Sequence, residues 1–374
     1  MKAKVAALLA VGLVVIAWIS FTRSKPNVLA PVASTPTEAE LNLPASPEPQ
    51  ETPRVSTPRI TATHAAVDPP TDEKATNMYA RLANGDVPKL SAEQIDAYLT
   101  QNQHSAESLL AAFRASSDTN YLKEAVEKFP NDPRVAYAAL FKSGSPEERK
   151  QWTDRLKQSA PDNALPNYFS ALDAFKSGQT ELALQEFTAA SGKQEFQDYT
   201  RDFLQNGEEA YRSAGYSEAD AKSIAATQLL LPDLAELRQL SKQMVALANT
   251  YRQSGDTASA DAALQMNIAL GQRFGGYPGE PCINQLVGIA IERDALTTLD
   301  PNGAFGSTGQ TVQDRLNELE KTKQSIKGFA QQEDGLFAKM SDSDVVSFWD
   351  RWRTFGYQPT MQWALSKHGQ QTPH

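Results

Sequence analysis

Residues 165–190 read Leu-Pro-Asn-Tyr-Phe-Ser-Ala-Leu-Asp-Ala-Phe-Lys-Ser-Gly-Gln-Thr-Glu-Leu-Ala-Leu-Gln-Glu-Phe-Thr-Ala-Ala, and this stretch decides the fold class. Tyr168, Leu172 and Phe175 recur at helical spacing, Phe-Lys-Ser-Gly at 175–178 makes a stop, and Ala183, Phe187 and Ala190 resume the period. Two helices joined by a short turn are the direct reading. The same tetrapeptide stands at 141–144, 34 residues earlier. Further turn glycines follow at 215 and 255, each behind a basic residue, Arg212 and Arg252.

Working outward, start signals precede most apolar runs. Ser91 with Gln94 forms a capping box, Ser105 caps the run containing Leu109, Leu110 and Phe113, and Ser145-Pro146-Glu147-Glu148 is a sharp start. Ser217 with Asp220, and Pro232 before Leu234, Leu237 and Leu240, open later helices. No stretch alternates at period two with β-branched enrichment, so the chain is expected to be all-α.

The 34-residue offset, with Ala183 five residues after Gly178 and Phe187 four further on, resembles the tetratricopeptide-repeat family. Leu247, Ala248, Tyr251, Gly255, Ala260 and Leu264 repeat the pattern. Two copies depart from it. Arg149 and Thr153 replace the small and large residues after Gly144, and Asp220 takes the small-residue place after Gly215. The resemblance implies a right-handed solenoid of helical hairpins over 130–273, with helices of 73–129 extending it and a helical capping region over 274–374. It also implies a concave groove lined by the first helix of each hairpin. Lys142, Lys176, Arg212 and Arg252 would make a basic ladder there for an acidic peptide, with Tyr168 beside them. The simpler role of these cations is to complement the dipoles at helix C-termini.

The N-terminus has another character. Lys2 and Lys4 precede an uncharged, mostly apolar run from Val5 to Phe21, followed by Arg23 and Lys25. Seventeen helical residues span roughly 25 Å, against a hydrocarbon core of about 30 Å. Residues 1–25 are read as an uncleaved transmembrane anchor with a cytoplasmic N-terminus, which places the body outside the inner membrane of a bacterial-type envelope. A removable signal segment, leaving a secreted or periplasmic binding protein, is the rival. Residues 26–72 hold ten of the chain's 22 prolines and little to bury, and read as a disordered linker.

A net charge of −9 with no Lys/Arg cluster argues against nucleic-acid binding. Cys282 is the single cysteine, so neither a disulfide framework nor a thiolate metal site is available within the chain. Of the four histidines only His104 lies in the body, without ligand-spaced companions, and no cofactor motif is present. Glu107-Ser108 resembles the Glu-Ser pair of helical lytic transglycosylases, which would imply a peptidoglycan-acting enzyme with Glu107 as general acid. The Gly-Leu-Met-Gln stretch of that family is absent, and Glu107 also suits the first turn of a helix capped by Ser105. Phe348, Trp349, Trp352 and Phe355 share one helical face, fit either for docking on the body or for anchoring a partner. The expectation is a non-catalytic scaffold or adaptor whose partner is another protein or peptide.

Overall fold

A computed structural model describes residues 78–274, 278–307 and 309–369. The anchor of 1–25 and the linker of 26–72 fall outside these residues. Among the described residues the chain is all-α, with sixteen helices and one two-stranded hairpin. The helices are α1 Met78–Ala83, α2 Ala92–Gln101, α3 Ala106–Ser116, α4 Thr119–Lys128, α5 Pro133–Leu140, α6 Pro146–Ser159, α7 Leu165–Lys176 and α8 Thr180–Ser191. They continue as α9 Thr200–Ser213, α10 Glu218–Thr227, α11 Pro232–Gln253, α12 Thr257–Arg273, α13 Cys282–Leu296, α14 Val312–Phe337, α15 Asp342–Phe355 and α16 Tyr357–His368. The antiparallel hairpin pairs β1 Ala304–Phe305 with β2 Gln310–Thr311 in the 300–309 loop, where the sequence offered no strand signal. None of the described helices is long and apolar enough to cross a membrane.

The caps form as their residues dictate. Ser91 and Gln94 complete a capping box at α2, and Thr311 with Asp314 makes another at α14. At α6 the box is altered. Ser145 Oγ accepts the Glu148 amide at 3.1 Å, but the Glu148 carboxylate reaches past Ser145 to the Gly144 amide at 2.8 Å.

That contact separates the two identical tetrapeptides. At 175–178 the helix runs through Lys176 and closes on Gly178, whose φ of +72° is the left-handed conformation that favours glycine. At 141–144 the helix has already stopped at Leu140, and Gly144 is not left-handed. The Pro146 start and the Glu148 carboxylate take over the chain there, whereas Gln179-Thr180 let α7 finish its last turn.

Packing follows the quality of the pattern more than chain order. α7 packs on α8, with Tyr168 and Phe187 edge to face at 5.0 Å and Ala183 and Ala190 wholly buried between them. α11 and α12 form the next close pair, around buried Ala248, Ala260 and Leu264. These two hairpins pack directly on each other, α11 on α7 and α12 on α8. The intervening pair α9–α10 turns aside to rest on α2, α3 and α15. There Tyr211 donates to the Pro88 carbonyl at 2.7 Å and receives the Gln228 amide at 2.6 Å.

The departures from the pattern have uses. Arg149 binds Asp173 of α7 at 2.8 Å and Glu236 of α11 at 2.7 Å, so one guanidinium ties three helices. Tyr137 of α5 donates to Asp233 of α11 at 3.0 Å inside the core. Beyond α12, α13 packs on both α11 and α12, and α14 joins α13 to α16. The first described helix comes back against the end of α14. Tyr79 of α1 stacks on Phe337 of α14 at 5.0 Å.

Candidate functional site

The four cations of the expected ladder each have a partner close to home. Lys142 lies over the Phe113 ring at 5.6 Å, and Lys176 approaches Asp173 at 3.8 Å. Arg212 approaches Glu218 at 3.9 Å across the α9–α10 turn. Arg252 donates to the Thr298 carbonyl at 2.8 Å and approaches Asp261 at 3.4 Å, which fixes it against the end of α13. Three of the four remain largely exposed and Arg252 is partly covered. With α9–α10 turned aside, Arg212 stands on a different part of the body from Lys176 and Arg252.

The aromatic candidates are placed differently from a binding surface. Tyr168, Trp349 and Trp352 are 1%, 7% and 2% exposed, so all three belong to the core. Trp349 donates to Ser223 Oγ of α10 at 3.1 Å and Trp352 to the Glu280 carbonyl at 3.2 Å. Their helical face docks α15 on the body, which corrects their reading as partner-binding residues. Lys222 joins the same seam, buried between Asp350 at 2.7 Å, Glu208 at 3.3 Å and Glu218 at 3.5 Å.

Glu107 sits in the first turn of α3 with Arg134 at 2.7 Å. Partial burial would raise its pKa, but its own backbone amide and then Arg134 prevail and hold it below the ordinary carboxylate value. A general acid at neutral pH needs the opposite shift. His104 pairs with Glu124 at 2.9 Å, a carboxylate twenty residues on that sequence spacing did not single out. Among the described residues no group of three His, Cys, Asp or Glu side chains could hold a metal ion. Cys282 is buried, and burial followed by the charge of Glu333 pushes its thiol pKa far up, away from nucleophilic use.

A half-open notch of about 330 Å³ lies between the start of α13 and the α15–α16 turn. Pro281, Gln285, Phe355, Gly356, Gln358 and Gln362 are among its walls. Gly356 ends α15 and begins α16 with φ +85°, a bend open to glycine that turns Phe355 outward to 53% exposure. Tyr357, on the inner side, donates to buried Glu333 at 2.8 Å. The lining is amide-rich, suited to hydrogen bonding without charge transfer. Sequence reading missed Gln285, Gln358 and Gln362. The only signal was the glycine interrupting an aromatic run at 355–357.

No protein-family model, curated protein or solved structure matches the chain.

Proposed function

We propose that the chain is a non-catalytic scaffold that binds another protein or peptide through a tetratricopeptide-like array of helical hairpins. The observation that carries this reading is the direct packing of α11–α12 on α7–α8. The two hairpins with the best repeat spacing in the sequence are thereby neighbours in space, as a stacked array requires. The array is short and interrupted, because α9–α10 is inserted between its good members and packs aside. The described residues offer cations, an exposed aromatic in Phe355 and an amide-lined notch, groups that serve recognition. The pairing of Glu107 with Arg134, which holds its pKa below the ordinary value, weighs against the peptidoglycan-enzyme alternative.

The N-terminal run is proposed as a single-pass anchor that displays this body on a Pro-rich stalk outside the inner membrane. Charged flanks and an uncharged run of seventeen residues support it. Mass analysis of the mature N-terminus in fractionated membranes is the test. Recovery of a protein lacking residues 1–25 would end the anchor reading in favour of a secreted one.

For the scaffold, in-cell crosslinking of the full chain followed by purification should recover a stoichiometric partner. The double variant Lys176→Glu with Arg252→Glu should lose it, and because Arg252 also holds the Thr298 carbonyl, capture surviving in the single variant Lys176→Glu would count against the groove.

A further inference from the structure

Beside the notch, Phe355, Arg351, Trp363 and Lys367 form a ladder along α15 and α16. The Arg351 guanidinium carbon lies 5.1 Å from the Phe355 ring centre and 5.0 Å from that of Trp363. Both distances are within cation–π range, so the guanidinium has an aromatic ring from each helix beside it. Lys367 lies over the Trp363 ring at 5.7 Å and is neutralised by Asp344. Arg351 is not. Among the described residues it has no carboxylate partner, and its Nε, shielded from water, has no acceptor. That atom is closed to an incoming group, but the two terminal guanidinium nitrogens are not shielded and hydrogen-bond no described residue, so they are open to an ionised acceptor.

Phe355 belongs to both features, a ring against Arg351 and a wall of the notch, so ladder and notch form one surface. Gln285, Gln358 and Gln362 supply amides that can both donate to and accept from peptide groups. Glu280 also lines the notch, so a run of acidic residues would meet repulsion there. One carboxylate followed by neutral main chain fits the whole surface. A volume of about 330 Å³ is at the small end for ligand sites, which span about 300–1,000 Å³.

The geometry points to a receptor for the C-terminal residues of a partner protein. The partner's α-carboxylate takes the Arg351 fork between Phe355 and Trp363, and its last peptide groups lie over the three glutamines. This rests on the scaffold reading above and adds the chemistry of what is bound.

The test uses the full-length chain and a fluorescein-labelled library of random hexapeptides, made once with free C-termini and once amidated. Free-acid peptides should be retained about tenfold more tightly than amides. Arg351→Gln should abolish that difference with an unchanged melting temperature, and Arg351→Lys should restore only part of it, lacking the planar fork. Equal retention of acids and amides, no retention of either, or a preference that survives Arg351→Gln overturns the proposal. Crosslinking the Arg351→Gln chain in cells separates the two readings. A partner still captured by that variant leaves the scaffold standing and removes this site.

Discussion

Gly271 of α12 and Gly288 of α13 meet with no room for a side chain on either. A Cβ on Gly288 would lie 2.6 Å from the Gly271 carbonyl oxygen, and one on Gly271 would lie 2.8 Å from that of Gly288. The obstacles are backbone atoms and the Phe274 Cβ, none of which a rotamer change can move. Gly271→Ala and Gly288→Ala should each destabilise the fold by about 1–3 kcal/mol, despite the better helix propensity of alanine. Urea unfolding checks this. A neutral or stabilising result for both would mean the helices are not in such close contact.

Asp233 provides a pH test. Burial, assisted by the charge of Asp198 and opposed by the Tyr137 hydrogen bond, pushes its pKa up to about 8. An unfolded aspartate titrates near about 3.9, so between about pH 4 and 8 the native state binds more protons than the unfolded state. This group's contribution to stability therefore falls as pH rises through that window. Asp233→Asn cannot ionise and keeps an acceptor for Tyr137. Its stability relative to wild type should climb from pH 5 to pH 8, by at most about 1.4 kcal/mol per pH unit. A pH-independent difference would show that the carboxyl is already ionised in the folded protein.

Lys222 is the counter-charge of the α10–α15 seam. Lys222→Met strips that charge from Glu208, which is itself buried and keeps only Arg353 at 2.8 Å. The expected cost is about 3 kcal/mol, and Glu208→Gln in the same chain should recover part of it. Additive losses in this double-mutant cycle would mean the two side chains do not interact.

Trp352→Ala should behave as a core deletion, costing about 3–5 kcal/mol and loosening α15. Tryptophan fluorescence and thermal melting read both effects. An unchanged melting temperature would return Trp352 to the surface and to partner binding.

Local rules made much of this fold readable. The caps at Ser91, Ser105, Ser145 and Ser217 follow from a hydroxyl three residues before a free amide, a relation contained within one helical turn. The choice of neighbours was harder to read. That α11–α12 should pack on α7–α8 while α9–α10 turns aside depends on contacts such as Arg149 with Glu236, far apart in the chain. Identical Phe-Lys-Ser-Gly segments turned differently because the residue after each glycine differs, Ser145-Pro146 in one case and Gln179-Thr180 in the other. Trp349 and Trp352 were ambiguous for a physical reason, since a docking face and a binding face have the same helical spacing. The notch escaped notice because its walls come from segments some seventy residues apart, and no periodicity links them.

The stacking of Tyr79 on Phe337 also bears on how the protein is made. At ribosomal rates of about 5–20 residues per second, α1 waits on the order of 10–50 s for the end of α14 to appear. Within that interval α7–α8 and α11–α12 can assemble and α10 can already receive α1, while the Tyr79 ring still lacks Phe337. The nascent chain thus carries an apolar seam that cannot close until α14 is complete. Nascent-chain folding factors would find their longest opportunity there, and misassembly between neighbouring nascent chains would be expected to begin at that seam.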